Sequence, residues 1–188
     1  VLDSGDRYYD YDGNSSDLGW LPIGDFAAPF TAVIEGNGFE IRNLFINRPD
    51  QDDVGLFGYV SAASLSNIKL TGDLMSIVGH DYVGSLVGGA YYSAQITHCS
   101  STGAVTGNDV IGGLVGDAEY STSISHSYAT GEVTGRDYVG GLIGLVYEQV
   151  QVSTSYASGA ASGSSFIGGI VGYIENSLLN SKIGRAHV

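Results

Sequence analysis

The sequence predicts an all-β fold of the β-solenoid type, with about 28 residues per coil. Three observations predict it. The first is a recurring frame: Asp81-Tyr-Val-Gly-Ser-Leu-Val-Gly88, Asp109-Val-Ile-Gly-Gly-Leu-Val-Gly116, Asp137-Tyr-Val-Gly-Gly-Leu-Ile-Gly144 and Ser165-Phe-Ile-Gly-Gly-Ile-Val-Gly172, each 28 residues after the last. A fixed period in this range marks a solenoid or array. The second is that alignment by this period stacks apolar residues into columns: Val83, Ile111, Val139 and Ile167; Leu86, Leu114, Leu142 and Ile170; Ile96, Ile124 and Val152; Val105, Val133 and Ala161. The third is composition. Twenty-nine glycines, 3 prolines and 43% apolar residues suit a β protein with many tight turns and a real core.

The chain opens with an acidic, aromatic, turn-rich stretch. Asp10-Tyr-Asp-Gly-Asn14 offers oxygens at alternate positions, as a calcium loop does. Ser15 and Leu21 stand where an EF-hand loop needs Gly and Glu, so an Asx/Gly turn is the preferred reading. Residues 20–48 read as a β lead-in. Trp20-Leu-Pro-Ile-Gly24 is a short apolar segment and Phe30-Thr-Ala-Val-Ile34 is a strand candidate. Glu35-Gly-Asn-Gly38 is a turn. Phe39, Ile41, Leu44 and Ile46 are apolar, and alternation breaks between Ile41 and Leu44 as at a corner. Arg48 to Asp53 is a polar loop, so residues 1–53 form an N-terminal lead-in.

Residues 54–181 then hold the repeats, divided as 54–80, 81–108, 109–136, 137–164 and 165–181. Asp53-Val-Gly-Leu-Phe-Gly58 opens the first as a shortened frame. In that repeat Leu65, Ile68, Leu70 and Leu74 align with Ile96, Cys99, Ser101 and Val105. The last repeat is a residue short, and Leu179 takes the place of Val152. Each coil contains about three apolar segments, none long enough for a helix. One coil cannot bury its own inner face. Stacked at ~4.8 Å, the columns become internal ladders. Glycine is expected at corners, for positive φ and close backbone approach. The expected hand is right, because right-handed crossovers dominate. Ile183-Gly-Arg-Ala-His-Val188 breaks the pattern and resembles a translated sequencing-library adapter, so 182–188, with His187, reads as a non-native tail. Without an initiator Met or signal peptide, the chain reads as a fragment of a longer polypeptide extending at both ends.

Composition excludes several classes of function. The net charge is −13, and Lys69 and Arg136 are the only cations in the repeats, so there is no basic footprint for nucleic acid. Eleven of the 20 acids lie in residues 1–53, where they favour solubility. No run of about 20 apolar residues exists to cross a membrane as a helix. The single cysteine, Cys99, shares a column with Ser127 and Ser155 and is expected inside.

The Tyr-Val-Gly-Gly-Leu-Ile-Gly core resembles the GLUG motif, as do following stretches such as Ser125-His-Ser-Tyr-Ala-Thr-Gly131. Gly19-Trp-Leu-Pro-Ile-Gly24, Glu35-Gly-Asn-Gly38 and Ile41-Arg-Asn-Leu-Phe-Ile46 resemble the segment that precedes such arrays. Ser85 replaces the second motif glycine, and Phe39 stands in place of the usual His. The resemblance implies a bacterial cell-surface or secreted protein, adhesin-like or a non-catalytic part of an IgA-specific metallopeptidase. It implies no catalytic residue, and no His-Glu-Xaa-Xaa-His is present.

Several polar and aromatic columns are candidate sites. Asp81, Asp109 and Asp137 would stack near 5 Å, where like charges repel by roughly 1 kcal/mol in water. Calcium could relieve this; solvated turn residues aided by Arg136 are the simpler account. His98 and His126 stack, with Thr154 third; a transition metal or a surface turn would explain them. Thr102, Thr130 and Ser158, and Thr106, Thr134 and Ser162, form hydroxyl ladders, but the Gly corner between them argues against a flat ice-binding face. The stacked aromatics Tyr92 and Tyr120, and Tyr128 and Tyr156, with the column of Tyr82, Tyr138 and Phe166, could hold sugar rings or simply stabilise the β surface. The resulting expectation is a non-catalytic stalk or adhesive surface, without cofactor, facing a host or neighbouring-cell glycan or protein. The alternative is a carbohydrate-active β-helix lyase or hydrolase using paired carboxylates. Such a site should show as one irregular polar coil, and none is visible in the columns.

Overall fold

The computed structural model describes residues 18–180. The Asp10–Asn14 turn and the 182–188 tail lie outside them. Among the described residues there is no helix, and the strands stack in parallel as a β-solenoid. One coil shows the plan: Asp109–Gly112, Val115–Glu119, Ser123–Ser125, Tyr128–Ala129 and Val133–Thr134. Each of these belongs to a different sheet, here numbered I to V in that order. A coil therefore has five strands, not three. The fourth and fifth are two residues long with one buried side chain apiece, Ala129 and Val133, too brief to register as a periodic run.

The predicted columns are the core. Val83 pairs with Ile111, Val139 with Ile167, Ile96 with Ile124 and Val105 with Val133, each in direct register. Leu86, Leu114 and Leu142 are fully buried, each worth about 1.5–3 kcal/mol of transfer free energy. Leu179 pairs with Val152, as the shortened last repeat requires. One alignment is corrected. Ile77, not Leu74, pairs with Val105; Ile77 is buried and Leu74 is 73% exposed. The Gly72–Asp73–Leu74 corner carries extra residues, so Leu74 is pushed outside.

The lead-in is already part of the stack. Val33–Glu35, Glu40–Arg42 and Phe45–Asn47 are the first strands of sheets III, IV and V. Asn37 and Gly38 both have positive φ, and Phe39 N–H donates to Gly36 O at 2.9 Å, closing the predicted turn. The segment before them closes this end. Trp20 Nε1–H donates to Leu56 O at 3.0 Å, and the buried Arg48 donates through Nε to Trp20 O at 2.9 Å.

Glycine meets the expected close approach, but at the repeat corners it does not supply most of the positive φ. The repeats turn at left-handed residues that carry side chains: Asn67, His98, His126 and Thr154 in one column, Tyr82, Val110, Tyr138 and Phe166 in another. The motif glycines serve close approach instead. A Cβ on Gly112 would sit 1.9 Å from Val115 O, and one on Gly140 1.8 Å from Ile143 O. No side chain fits at these two positions, the last residues of sheet I before the chain turns into sheet II.

Candidate functional site

The aspartate column lies at the corner entering sheet I. Asp109 and Asp137 are paired in register. Asp52, Asp81 and Asp109 are each met by donors from the next coil. Asp52 accepts from His80 Nδ1 at 2.8 Å and from the Asp81 N–H at 3.2 Å. Asp81 accepts from Asn108 Nδ2 and from the Asp109 N–H, both at 3.0 Å. Asp109 takes both Nε and a terminal nitrogen of Arg136, which also lies 3.4 Å from Asp137. Three different residue types, His80, Asn108 and Arg136, do the same job one coil apart. The repulsion is thus answered within the protein by hydrogen bonds to charged acceptors.

The metal-compatible geometry among the described residues is Asp52, His80 and Asp81, whose ligand atoms lie within 4.8 Å of one another. It takes in Asp81 but neither Asp109 nor Asp137. His80 is held above its ordinary pKa by the hydrogen bond it donates to Asp52, then by the Asp81 charge. A proton on the imidazole therefore links these carboxylates.

The predicted aromatic pairs form. Tyr92 and Tyr120 stack at 5.0 Å, Tyr128 and Tyr156 at 4.9 Å. Tyr82 and Tyr138 share a column but Val110 stands between them; Tyr138 stacks on Phe166 at 4.9 Å instead. Tyr82, Tyr92, Tyr120 and Tyr156 are exposed, Tyr128 and Tyr138 half-buried. Facing rings cover one another, leaving edges and hydroxyls for contact. His98 and His126 stack at 4.7 Å. Cys99 is buried as expected, and its thiol is pushed up to about 11 by desolvation. Its N–H donates to Ser127 Oγ at 3.1 Å, and the Ser127 N–H donates to Ser155 Oγ at 3.2 Å, so the column is an internal hydroxyl ladder.

An irregular coil does exist, contrary to the sequence expectation. The column Tyr59, Gly89, Asp117, Leu145, Tyr173 holds one carboxylate. Asp117 is 2% exposed. Tyr91, which stacks on Tyr59 at 4.3 Å, donates its hydroxyl to Asp117 Oδ2 at 2.9 Å. Its ring can cross there because residue 89 is glycine; a Cβ would lie 2.4 Å from the ring. Oδ1 of Asp117 is buried without a partner. Desolvation, then the Glu119 charge, hold this carboxyl well above the usual range. Asp53 is raised to about 6 by desolvation and by Asp52. The signal for this cluster was in the alignment: a lone acid in a column of Gly, Leu and Tyr.

Residues 79–106 and 107–134 match the GLUG motif in tandem. A protein of Evansella cellulosilytica, provisionally named a Gly-rich membrane protein, is 45% identical over 75 residues. That stretch covers 39% of this chain and 9% of the relative, so this chain corresponds to a small part of that protein. No solved structure matches. Among the described residues, no helix is long and apolar enough to cross a membrane.

Proposed function

We propose that this chain, which carries tandem GLUG repeats, is a non-catalytic segment of a larger bacterial surface or secreted protein. It acts there as a rigid stalk whose long faces adhere to a glycan or protein surface. The observation that carries the reading is the unbroken parallel register of all five sheets. Recurrent residues are spent on stacking: apolar columns inside, donor–acceptor ladders at the corners. Side chains free to vary outward, among them Tyr92, Tyr120 and Tyr156, would supply specificity. The length of the relative supports a role as one part of a long polypeptide. Donors on Asp81 and Asp109, and Arg136 beside Asp137, support a column balanced within the protein.

The test is a glycan and surface-protein array probed with the folded chain, alongside a reducing-sugar release assay on the glycans retained. Binding that weakens in Tyr92→Ala and Tyr120→Ala, without turnover, supports the proposal. A second reading, a carbohydrate-active enzyme, is favoured by the raised carboxyl of Asp117 in the one irregular coil. Its burial argues against contact with a substrate. Sugar release abolished by Asp117→Asn would establish that second reading and overturn the first.

A further inference from the structure

Asp117 and Glu119 are alternate residues of the strand Val115–Glu119 and so point to the same face of sheet II. Asp117 is sealed in, with Oδ2 under the Tyr91 hydroxyl and Oδ1 lacking any donor. A buried carboxylate with an empty oxygen costs several kcal/mol, and such groups usually neutralise instead. A proton on Oδ1 would remove the cost and find an acceptor in the Glu119 carboxylate. We propose that Asp117 and Glu119 share one proton, forming a pH-sensitive lock on sheet II that holds with one negative charge and loosens with two.

The surroundings set the sense of the switch. Tyr91 and Tyr59 approach from the preceding coils, stacked on each other. Tyr82 comes from the sheet I corner, where its backbone lies against Gly116. Desolvation, then Asp117, then Asp53 and Glu119 raise the Tyr91 phenol, so the charged groups acting on it are all acidic. Leu145, in register on the following coil, offers no charge. Among the described residues, therefore, no cation stands ready to receive a second negative charge. When base removes the shared proton to bulk solvent, two carboxylates face each other beneath the tyrosines. The part that yields is the Tyr59–Tyr91 stack and, beside Gly116, the corner at Tyr82.

For a carboxyl raised in the folded state, stability is fully present below the unfolded pKa. It is lost as pH rises toward the folded value, and the loss is complete above it. The Asp53 contribution falls between about pH 4 and 6, from its ordinary value to its raised one. His80 and Cys99, both raised, also lose their contributions as pH rises, so the Asp117 component is the part of the fall that the Asp117 variants remove. The experiment is a series of thermal midpoints from pH 5 to 10, with hydrogen exchange across 87–91 and 115–119. The proteins are wild type, Asp117→Asn, Glu119→Gln and Asp117→Leu, the last using the residue found at 145. Asn keeps an acceptor for Tyr91 and a donor for Glu119 without a titrating proton.

Wild type should lose midpoint above pH 6, with exchange in both strands accelerating beyond the intrinsic pH effect. Asp117→Asn and Asp117→Leu should lack that component. Glu119→Gln should move it to lower pH, because the neighbouring charge that raises Asp117 is gone. Parallel profiles for wild type and either Asp117 variant would overturn the proposal. If Asn disrupts folding, the Leu variant decides, and if both do, the Glu119→Gln displacement decides.

Discussion

Within one motif, two adjacent glycines should respond differently to substitution. At Gly112 an added Cβ would stand 1.9 Å from Val115 O and 2.8 Å from Gly144 N, both backbone atoms. Neither can retreat without disturbing a parallel ladder. Overpacking typically costs 1–3 kcal/mol and a displaced buried backbone hydrogen bond a further 1–3, so Gly112→Ala should lose about 3–5 kcal/mol. At Gly113 the Cβ would lie 2.2 Å from Gly141 O, which looks almost as severe. Yet Ser85 occupies the equivalent position, fully buried, and donates its Oγ–H to Gly113 O at 2.6 Å. The chain has a solved answer for serine there, and Gly113→Ser should cost about 1 kcal/mol, the hydrogen bond offsetting the crowding. Urea titration followed by far-ultraviolet circular dichroism measures both. In melting temperature the two should differ by roughly 5–15 °C, given about 2–4 °C per kcal/mol for chains of this size. Equal losses would refute the reasoning, because they would mean that the motif glycines are interchangeable spacers and not separate points of backbone contact.

Three further outcomes follow from the ladders. Ser127→Ala should cost about 1–3 kcal/mol, since it strands the buried Cys99 N–H, whereas Cys99→Ser copies its column mates and should be near neutral; chemical denaturation compares them. The Cys99 thiol, buried and pushed up to about 11, should resist a disulfide reagent at pH 8 until denaturant is added, and fast native labelling would contradict its placement. Arg136→Gln removes an exposed bridge between Asp109 and Asp137, so its effect on melting should be small and should disappear in 1 M salt.

What was legible in the sequence was whatever the stacking repeats. Val83, Leu86, Ile96 and Val105 were visible as inward positions because each has partners 28 residues on, under the same burial constraint. Leu179 was legible even through a deletion, because the polar and apolar neighbours on either side hold the frame. The number of strands was not. Tyr128–Ala129 and Val133–Thr134 each present a single inward residue, and one residue has no period. The work of the glycines is only half legible, for a related reason. A glycine in a repeat fits both a positive φ and a crowded backbone, and only the geometry separates them: His98, Tyr82 and Val110 take the left-handed turns, and Gly112 and Gly140 take the contacts.

The least legible feature was the most individual one. Averaging over copies brings out what all coils need, and it suppresses what one coil has alone. Asp117 disappears in a column of Gly89, Leu145 and Tyr173, as does Gly89, whose missing side chain makes room for Tyr91 to reach it. The two depend on each other across neighbouring coils: a larger residue at 89 would block the ring, and an apolar residue at 117 would leave its hydroxyl without the acceptor it has. In a repeat protein, then, columns identify the scaffold, and paired exceptions on adjacent coils identify what has been added to it. By that criterion the shared aspartates at 81, 109 and 137 belong to the scaffold, the first two with donors from the next coil and the third beside Arg136. The Gly89–Tyr91–Asp117–Glu119 set is the part of this chain that stacking alone does not explain.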